Sequence, residues 1–548
     1  MLKNKIFITA LAIFLIGSLG IIIWIQQMRP EKLSLLTPSV YVDGWEYSSN
    51  FISTTNDGIH ISCQMLRDIA NMEIYWDVSD KIVVYTNPKQ VVYIGLDSSF
   101  DQDIKWIGSM PFLPLHSVEL LYDGKITWYS DSQCLHVIRP AFQSYQTKLV
   151  KNEWLKAYPF SKADFYQKIF KDQSVMVLKV QNDWVKISTN QGIVGWVEKI
   201  SLDTDLHPPH YALPEKPKKA ETVSSKICMT WHYVYRTMSD PEEFYVAEEL
   251  DVLSPTWLSL ANEQGDLVDK GRKDYIDWAN KHQYQVWIGC TNSFDPDLTH
   301  AVLESTKKRK TLIDALLLKV EYYGASGLNI DWENIHLADK DLFTQFIREL
   351  YPIFHQNNLL VSIDITTISE SENWSLCYDR EKLGKVTDYI VLMAYDQYWA
   401  GGGESGSVAE YDWVQKGVEE LIELVPADKV ILGVPFYSRL WIEDHSTIPI
   451  TAESESYYME YAMELGDTYS AKWDSSIRQY YAQWERYPYT YKLWIEEPKS
   501  VLHKVQLVHK YNLAGVAFWR KGYEKTEIWP LVREVLDNPS QNINELSW

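Results

Sequence analysis

The chain has 548 residues, of which 46% are hydrophobic and 23% are charged. This is ordinary globular composition, so it excludes disorder over most of the length, and the length predicts roughly three or four domains. The formal net charge of −22 disfavours contact with a phosphate backbone, so no nucleic acid partner is expected. The 23 Trp and 36 Tyr are numerous enough to supply exposed aromatic surface as well as core packing.

The N-terminus carries an uncharged apolar run of twenty residues, from Ile6 to Ile25. That length crosses a bilayer core of about 30 Å. No small-x-small cleavage site follows, so we predict an uncleaved transmembrane anchor over residues 6–25 rather than a signal peptide. The short tail before this run predicts that the bulk of the protein faces the cell exterior, or is secreted if the segment is cleaved.

Residues 36–140 contain an imperfect repeat with an offset of 52. The segment 61–85 aligns with the segment 113–137, and each copy predicts a short helix followed by two strands. Each copy is too small to bury a core alone, so we expect the two to pack together as one small α+β module. The pattern resembles the module named after the N-terminal domain of copper amine oxidases. The resemblance implies a spacer or a wall-binding role, and no copper chemistry.

Residues 145–203 predict a small all-β domain. The segment 174–202 shows short alternating strands with turns at QND and TNQG. The pattern resembles the bacterial SH3-like barrel, whose members often bind cell-wall peptide or glycan. Trp184 and Trp196 are candidates either for a ligand-facing surface or for the barrel core. The Pro- and Lys-rich residues 204–225 then predict a semi-rigid linker.

Residues 226–538 alternate apolar strand patterns with amphipathic helical patterns. Eight strands are predicted, at 226–231, 250–257, 284–290, 327–333, 359–365, 388–396, 429–437 and 513–519. Eight βα units in this length predict an α/β fold, a (β/α)₈ TIM barrel with an insertion between strands seven and eight near 440–500. A doubly wound sheet is the alternative, but it does not need eight strands.

The fourth predicted strand places three polar residues on one face. Asn329, Asp331 and Glu333 are spaced by two, and alternate strand residues point the same way. An ionised Asp331 beside Glu333 disfavours loss of the proton of Glu333, which suits a general acid near neutral pH. The alternatives are a cap or salt-bridge cluster, and a metal site that uses His336 as a third ligand.

Four motifs occur in order on the predicted strands: GLNIDWEN (327–334), MAYD (393–396), GVPFY (433–437) and GVAFW (515–519). Together they resemble glycoside hydrolase family 18, the chitinase-like family, over about 310 residues. The segments 329–335 (NIDWENI), 494–497 (WIEE) and 519–529 (WRKGYEKTEIW) resemble its wall-lytic branch, typified by spore-cortex peptidoglycan N-acetylglucosaminidases. Ser326 and Asn329 stand where the family motif has its first two acids.

The resemblance implies a role for each matching residue. Glu333 would protonate the leaving glycosidic oxygen, Asp331 would bind the acetamido N–H of the sugar, and Tyr395 would bind its carbonyl. The substrate-binding candidates are Asn329, Asp396, Trp519, Met393, Tyr437 and Trp399. The resemblance also implies that the substrate's own N-acetyl group is the nucleophile. Neither a cofactor nor a metal ion is implied.

Several further residues have two interpretations. Trp257, Trp399 and Trp441 follow strands two, six and seven, where each suits a sugar platform or ordinary packing. Met393 suits the barrel wall better than substrate contact, and GGGESG (401–406) suits a lid. The five cysteines, with no C-x-x-C, predict buried thiols or at most one isolated disulfide.

Two functional hypotheses follow. The first is a membrane-anchored, exported hydrolase that acts on an N-acetylated glycan, peptidoglycan rather than chitin. The second is a lectin-like protein that binds such glycans without cutting them. Non-catalytic relatives usually lose the terminal Glu of the strand-four motif, and here Glu333 is present, so the sequence favours the enzyme.

Overall fold

The computed structural model describes residues 30–34, 38–55, 58–96, 104–203, 226–236 and 240–546. Contacts divide the chain into two compact units, one made mainly of residues before 220 and the other mainly of residues after it. The predicted anchor over residues 6–25 and the predicted linker over 204–225 lie outside the described residues. Within the described ranges, no helix has the length and apolar character needed to cross a membrane.

The repeat in the first module is visible in its secondary structure. The first copy folds as the helix Cys63–Asp68 with strands Ile74–Asp77 and Ile82–Asn87, and the second as the helix Leu115–Leu121 with strands Lys125–Tyr129 and Cys134–Ile138. The other strands of the module are Ser39–Val42, Trp45–Tyr47, Ile52–Thr55, Gly58–Ser62, Gln90–Ile94, Lys105–Ile107 and Met110–Pro114. The helix–strand–strand order therefore agrees with the repeat, while the link to the copper amine oxidase module stays a prediction.

The second module is a six-stranded antiparallel sheet. In sheet order its strands are Tyr145–Lys148, Ser174–Gln181, Trp184–Thr189, Val194–Glu198, Glu153–Lys156 and Phe165–Ile169. The QND and TNQG turns separate strands as the sequence predicts. Trp196 is buried and Trp184 is partly exposed, so only Trp184 retains surface for a ligand. The SH3-like assignment stays a prediction.

The second unit is built on a closed barrel of eight parallel strands. We label them β1 (Ile227–His232), β2 (Val252–Pro255), β3 (Gln285–Thr291), β4 (Gly327–Asp331), β5 (Leu360–Thr366), β6 (Tyr389–Met393), β7 (Val430–Pro435) and β8 (Gly515–Trp519). Each strand pairs in parallel with the next, and β8 pairs with β1, which closes the ring. The (β/α)₈ prediction is confirmed, and a doubly wound sheet is excluded.

Alternation along the strands separates two apolar cores. Leu328, Ile330 and Trp332 face outward into the large core between the barrel and its helices, where the Trp332 ring stacks on Phe346 at 4.8 Å. A smaller core inside the barrel contains Met229, Trp231, Val252, Trp287, Val391, Ile431 and Ala517. Because side chains alternate between faces, the outward apolar positions of β4 leave Asn329 and Asp331 pointing inward.

Helices surround the barrel and the insertion adds one more. They are Lys273–Lys281, Pro296–Leu303, Thr306–Tyr323, Lys340–Gln356, Arg380–Lys385, Tyr411–Ile422, Met459–Thr468, Pro498–Lys510 and Ile528–Asp537. The helix before β4 begins at the cap Ser305, whose Oγ accepts from the Lys308 N–H, and ends at Gly324 with φ +75°. Gly324 suits this left-handed position because it has no Cβ.

The predicted insertion between β7 and β8 is an antiparallel sheet with one helix. Its strands are Tyr437–Asp444, Thr451–Tyr458, Lys472–Asp474, Gln479–Arg486 and Tyr489–Ile495, and its helix is Met459–Thr468. The first strand starts two residues after β7 ends, so the insertion rises directly from the carboxyl end of the barrel. A short hairpin, Leu258–Leu260 with Leu267–Asp269, extends the barrel sheet after β2.

All five cysteines lie among the described residues as buried free thiols. Burial raises the pKa of the Cys228 and Cys290 thiols, which keeps both protonated and poorly reactive. The structure agrees with the prediction of buried thiols and excludes the isolated disulfide.

A fully buried ion pair links two barrel helices and generates a stability prediction. Arg309 Nη2 lies 2.8 Å from Glu349 Oε1, and both side chains are inaccessible to solvent. Arg309→Met strands the Glu349 charge, and we expect a loss of about 3–5 kcal/mol in the free energy of unfolding, measured with urea. Lys385→Met is the control, since its pair with Glu381 is exposed. Equal urea midpoints for the two variants would contradict the prediction.

Candidate active site

The residues singled out on the strands meet at one mouth of the barrel. Asp331 ends β4 and Trp519 ends β8, while Glu333 and Tyr395 each lie two residues beyond their strands. Because all eight strands are parallel, their carboxyl ends face the same side. The fold therefore gathers four residues that are far apart in sequence.

Asn292, just after β3, fixes the backbone of Glu333 from both sides. Its Oδ1 accepts from the Glu333 N–H at 3.1 Å, and its Nδ2 donates to the Glu333 carbonyl at 2.7 Å. The same Nδ2 also donates to Thr299 Oγ1, and Asn292 is fully buried. This two-point clamp sets the direction in which the Glu333 carboxyl leaves the strand end.

Asn329 lies one pleat deeper in the barrel, where all of its polar groups are bonded. Its Oδ1 accepts from Trp231 Nε1 at 3.1 Å and from Ser254 Oγ at 3.0 Å. Its Nδ2 donates to Ser362 Oγ at 3.0 Å and to Asp364 Oδ1 at 2.7 Å. Asn329 is fully buried, so it acts on the side chains beneath the site rather than on a ligand at the mouth.

The two acids at the end of β4, Asp331 and Glu333, have raised pKa values. Asp331 is 7% exposed, its Oδ1 is buried without a hydrogen-bond partner, and burial raises its pKa to about 7. Burial, together with the nearby Asp331 and Asp396 carboxylates, raises the pKa of Glu333 well above its usual value. Glu333 is partly exposed at the mouth, so it combines access to solvent with a carboxyl that resists losing its proton.

Aromatic rings form one wall of the mouth. The Trp231 ring lies edge-on to the rings of Tyr395 and Trp519, with centroids 6.4 Å and 5.8 Å away, and the Trp519 ring contacts Tyr233 at 6.2 Å. Burial, then the charge of Asp331, raises the pKa of the Tyr395 phenol, which therefore remains an O–H donor. Trp519 stays partly exposed, as a ring that stacks on a ligand must be.

Asp396 lies on the rim, held by two residues from the start of the insertion. Its φ of +58° is in the left-handed region, and its Oδ1 accepts from the Tyr437 hydroxyl and from Arg439 Nη2, the latter at 2.6 Å. Tyr437 is buried, whereas 44% of the Asp396 side chain is exposed. Asp396 thus presents a fixed carboxylate to solvent at the mouth.

The remaining aromatic candidates divide between surface and core. Trp257 and Trp441 are fully buried, so their interpretation as sugar platforms is wrong. Trp257 packs in the large core outside the barrel, and Trp441 Nε1 donates to the Gly406 carbonyl at 2.8 Å. Trp399 is 58% exposed, and Gly401 and Gly402 of the GGGESG loop approach its ring closely. Met393 is buried at the end of β6.

The structure does not assemble the metal site weighed from the sequence. His336 lies on the loop after Glu333, and its Nε2 is paired with Asp297 Oδ1 at 2.8 Å rather than with Asp331 or Glu333. Across the described residues, no group of three or more His, Cys, Asp or Glu side chains is arranged to hold a metal ion.

Sequence reasoning missed several residues of the site: Trp231, Ser254, Asn292, Asp364 and Arg439. A signal existed for some of them. Ser362 and Asp364 are polar at alternate positions of an otherwise apolar strand, and Arg439 shares a strand face with Tyr437. The signals were weak because no local motif connects these residues to β4.

Comparison with known proteins finds similarity to glycoside hydrolases. Residues 260–524 match the family described as glycosyl hydrolases family 18. An uncharacterized glycosylase, YvbX of Bacillus subtilis, is 25% identical over 284 residues, which is 50% of this chain and 81% of that protein. The cortical fragment-lytic enzyme of the same organism is 24% identical over 256 residues, 44% of this chain. This chain spans 57% of that enzyme, little more than half of its length.

A solved structure supports the fold. The spore cortex-lytic enzyme SleL of Bacillus megaterium QM B1551 superposes with a TM-score of 0.51 at 19% identity. The match covers 61% of this chain and 79% of that one.

The raised pKa of Glu333 predicts a pH-dependent stability effect. A folded-state pKa above the unfolded value of about 4.3 stabilises the fold at low pH, and this contribution is lost as the pH rises through the folded pKa. Glu333→Gln removes the cost of ionising a buried carboxyl. We therefore expect the variant to gain more in Tm over the wild type at pH 8 than at pH 4.

The matched control for this measurement is Glu464→Gln, on the exposed face of the insertion helix. Its side chain is in solvent in the folded and the unfolded chain alike, so its effect on Tm is expected to be the same at both pH values. A Glu333→Gln gain that is equally independent of pH would contradict the assignment.

Proposed function

Since residues 260–524 match glycosyl hydrolases family 18, we propose that the protein cleaves β-1,4 bonds after N-acetylglucosamine in peptidoglycan, by a substrate-assisted mechanism that retains anomeric configuration. The observation that carries the proposal is the position of Glu333, partly exposed at the open end of the barrel beside the buried Asp331, where burial and the neighbouring carboxylates raise its pKa. A protonated carboxyl at this place is equipped to donate to a leaving glycosidic oxygen.

The arrangement supports the sugar's acetamido group as the nucleophile. Asp331 is buried below Glu333 and has an oxygen without a partner, which suits an acetamido N–H. The Tyr395 hydroxyl is the O–H donor for the acetamido carbonyl as that oxygen attacks the anomeric carbon. Attack by the substrate's own oxygen, followed by water, inverts the anomeric carbon twice, so the product keeps the original configuration.

The rim supplies the groups that hold the sugar. Trp519 offers a partly exposed ring face under the bond to be cut, and Asp396 offers a carboxylate fixed by Tyr437 and Arg439. Trp399 is placed to stack on a neighbouring sugar because its ring is exposed. Met393 and Asn329 support this surface from inside rather than contact the glycan, since both are buried.

Peptidoglycan is proposed over chitin for three reasons. One similar protein is named a cortical fragment-lytic enzyme, and the NIDWEN, WIEE and WRKGYEKTEIW segments resemble the wall-lytic branch of the family. The apolar run at 6–25 further supports a protein anchored in the membrane and facing the wall. Cleavage of chitin oligomers, and glycan binding without cleavage, are the alternatives.

The proposal is tested by hydrolysis of purified peptidoglycan with the full-length protein in mild detergent, with the products identified by mass spectrometry. We expect new reducing-end N-acetylglucosamine from the wild type, and a rate lower by about 10²–10⁴ for Glu333→Gln, because a general acid contributes that factor. Products from chitin oligomers alone would favour the chitinase. Binding without products from either glycan would favour the lectin-like alternative.

A second experiment tests the acetamido nucleophile. Peptidoglycan that has been chemically N-deacetylated lacks the attacking oxygen, so we expect its cleavage to fall to the level of Glu333→Gln. Chemical re-acetylation of the same sample is the control and restores cleavage. Equal rates on acetylated and deacetylated glycan would contradict substrate assistance.

A further inference from the structure

Asp364 on β5 is a buried carboxyl that the roles proposed so far leave unused. It is 1% exposed and lies inside the barrel, beside β4. The register pairs Asn329 with Ser362 and Ile330 with Ile363, so Asp331 and Asp364 occupy the next position on the two strands. Neighbouring strands lie about 4.8 Å apart, and both residues point inward, so the two side chains are neighbours on the inner face of the barrel.

Two hydrogen bonds fix the orientation of Asp364. Its Oδ1 accepts from Asn329 Nδ2 at 2.7 Å, and its Oδ2 accepts from Trp231 Nε1 at 3.1 Å. The donors come from β4 and β1, on opposite sides of the carboxyl. The Asn329 amide, which stands where an acid occurs in the family motif, thus holds an acid supplied by another strand.

The groups around Asp364 are acidic or neutral. Asp331 and Glu333 face it from β4, the Tyr395 phenol from beyond β6 and the Trp231 indole from β1. Throughout the described ranges, no Lys, Arg or His side chain forms an ion pair with Asp364 or Asp331; Arg439 is engaged with Asp396 instead. Burial, then the charge of Asp331, raises the pKa of Asp364 well above its usual value.

We propose that Asp364 is a positioning residue that shares a single proton with Asp331. Two adjacent carboxyls in a buried site without a cation do not ionise together, so the pair retains one proton over a wide pH range. When Asp331 is the ionised member, Asp364 carries the proton. This inference rests on the proposed function for its catalytic meaning, but the shared proton itself is a property of the folded protein.

The shared proton gives Asp331 two states. With the proton on Asp364, Asp331 is a carboxylate that accepts the acetamido N–H of the sugar. With the proton on Asp331, Asp364 is the carboxylate, stabilised by the Asn329 and Trp231 donors. The exchange moves one proton between two oxygens, so the site neither gains nor loses a proton while Glu333 keeps its own for the leaving oxygen.

The kinetic test compares pH profiles of kcat/KM for glycan hydrolysis. Asp364→Asn keeps an oxygen for Asn329 but removes the acid that stabilises ionised Asp331. We expect the acid limb to move up by about one pH unit, which lowers kcat/KM about tenfold at a fixed pH on that limb. The exchange variant Asn329→Asp/Asp364→Asn returns an acid to the pair, and we expect it to restore the limb.

Ser362→Ala is the matched control for this test. It removes a neutral partner of Asn329 from the same network, so we expect no movement of the acid limb. An unchanged limb in Asp364→Asn, or an equal shift in Ser362→Ala, would overturn the proposal and leave Asp364 a purely structural residue.

A second measurement needs neither activity nor an Asp364 variant. Glu333→Gln protein with ¹³C-labelled aspartate separates aspartic acid from glutamic acid bands in the infrared spectrum. We expect one protonated aspartic acid to persist at pH 8. Its absence would overturn the proposal, even if the wild type hydrolyses the glycan. A wild type that cuts no glycan but keeps this band would reject the proposed function alone.

Discussion

The site depends on the confinement of three carboxyl groups, those of Asp331, Glu333 and Asp364, with which no Lys, Arg or His among the described residues forms an ion pair. Asp331, Glu333 and Asp364 are held by the register of β4 and β5, and burial raises the pKa of each. The closed ring of strands makes ionisation of these carboxyls costly in free energy, because it fixes the inward direction of alternate residues and so keeps the carboxyls buried. Buried carboxyls that lie close together favour their protonated form, and a general acid must hold a proton before it can donate one.

The surrounding structure maintains that confinement. Trp332, the residue after β4, points outward and packs against Phe346 of the helix Lys340–Gln356. The fully buried Arg309–Glu349 pair links that helix to the helix before β4. Asn292 clamps the Glu333 backbone from β3. The backbone positions of the carboxyl groups are therefore fixed close together, and their mutual repulsion contributes to the raised pKa values of Glu333 and Asp364.

The insertion between β7 and β8 adds the part of the site that faces solvent. Its first strand delivers Tyr437 and Arg439 to Asp396, and so builds the rim on a rigid element rather than on a free loop. In the proposed function, the buried acid cluster transfers protons and the exposed rim above it binds the sugar. Both functions depend on the closed ring of strands, because the ring forms the barrel end on which the acid cluster and the rim are built.

The barrel is predictable from the amino-acid pattern, because eight apolar strand patterns alternate with amphipathic helices, and the spacing of Asn329, Asp331 and Glu333 predicts the inward face of β4. Which residues from other strands meet that face depends on how the strands pack in three dimensions. Asp364, Trp231 and Asn292 come from β5, β1 and the end of β3, and no local pattern encodes their contacts. Trp257 and Trp441 show the same limit, since periodicity does not tell a buried ring from an exposed one when both follow a strand.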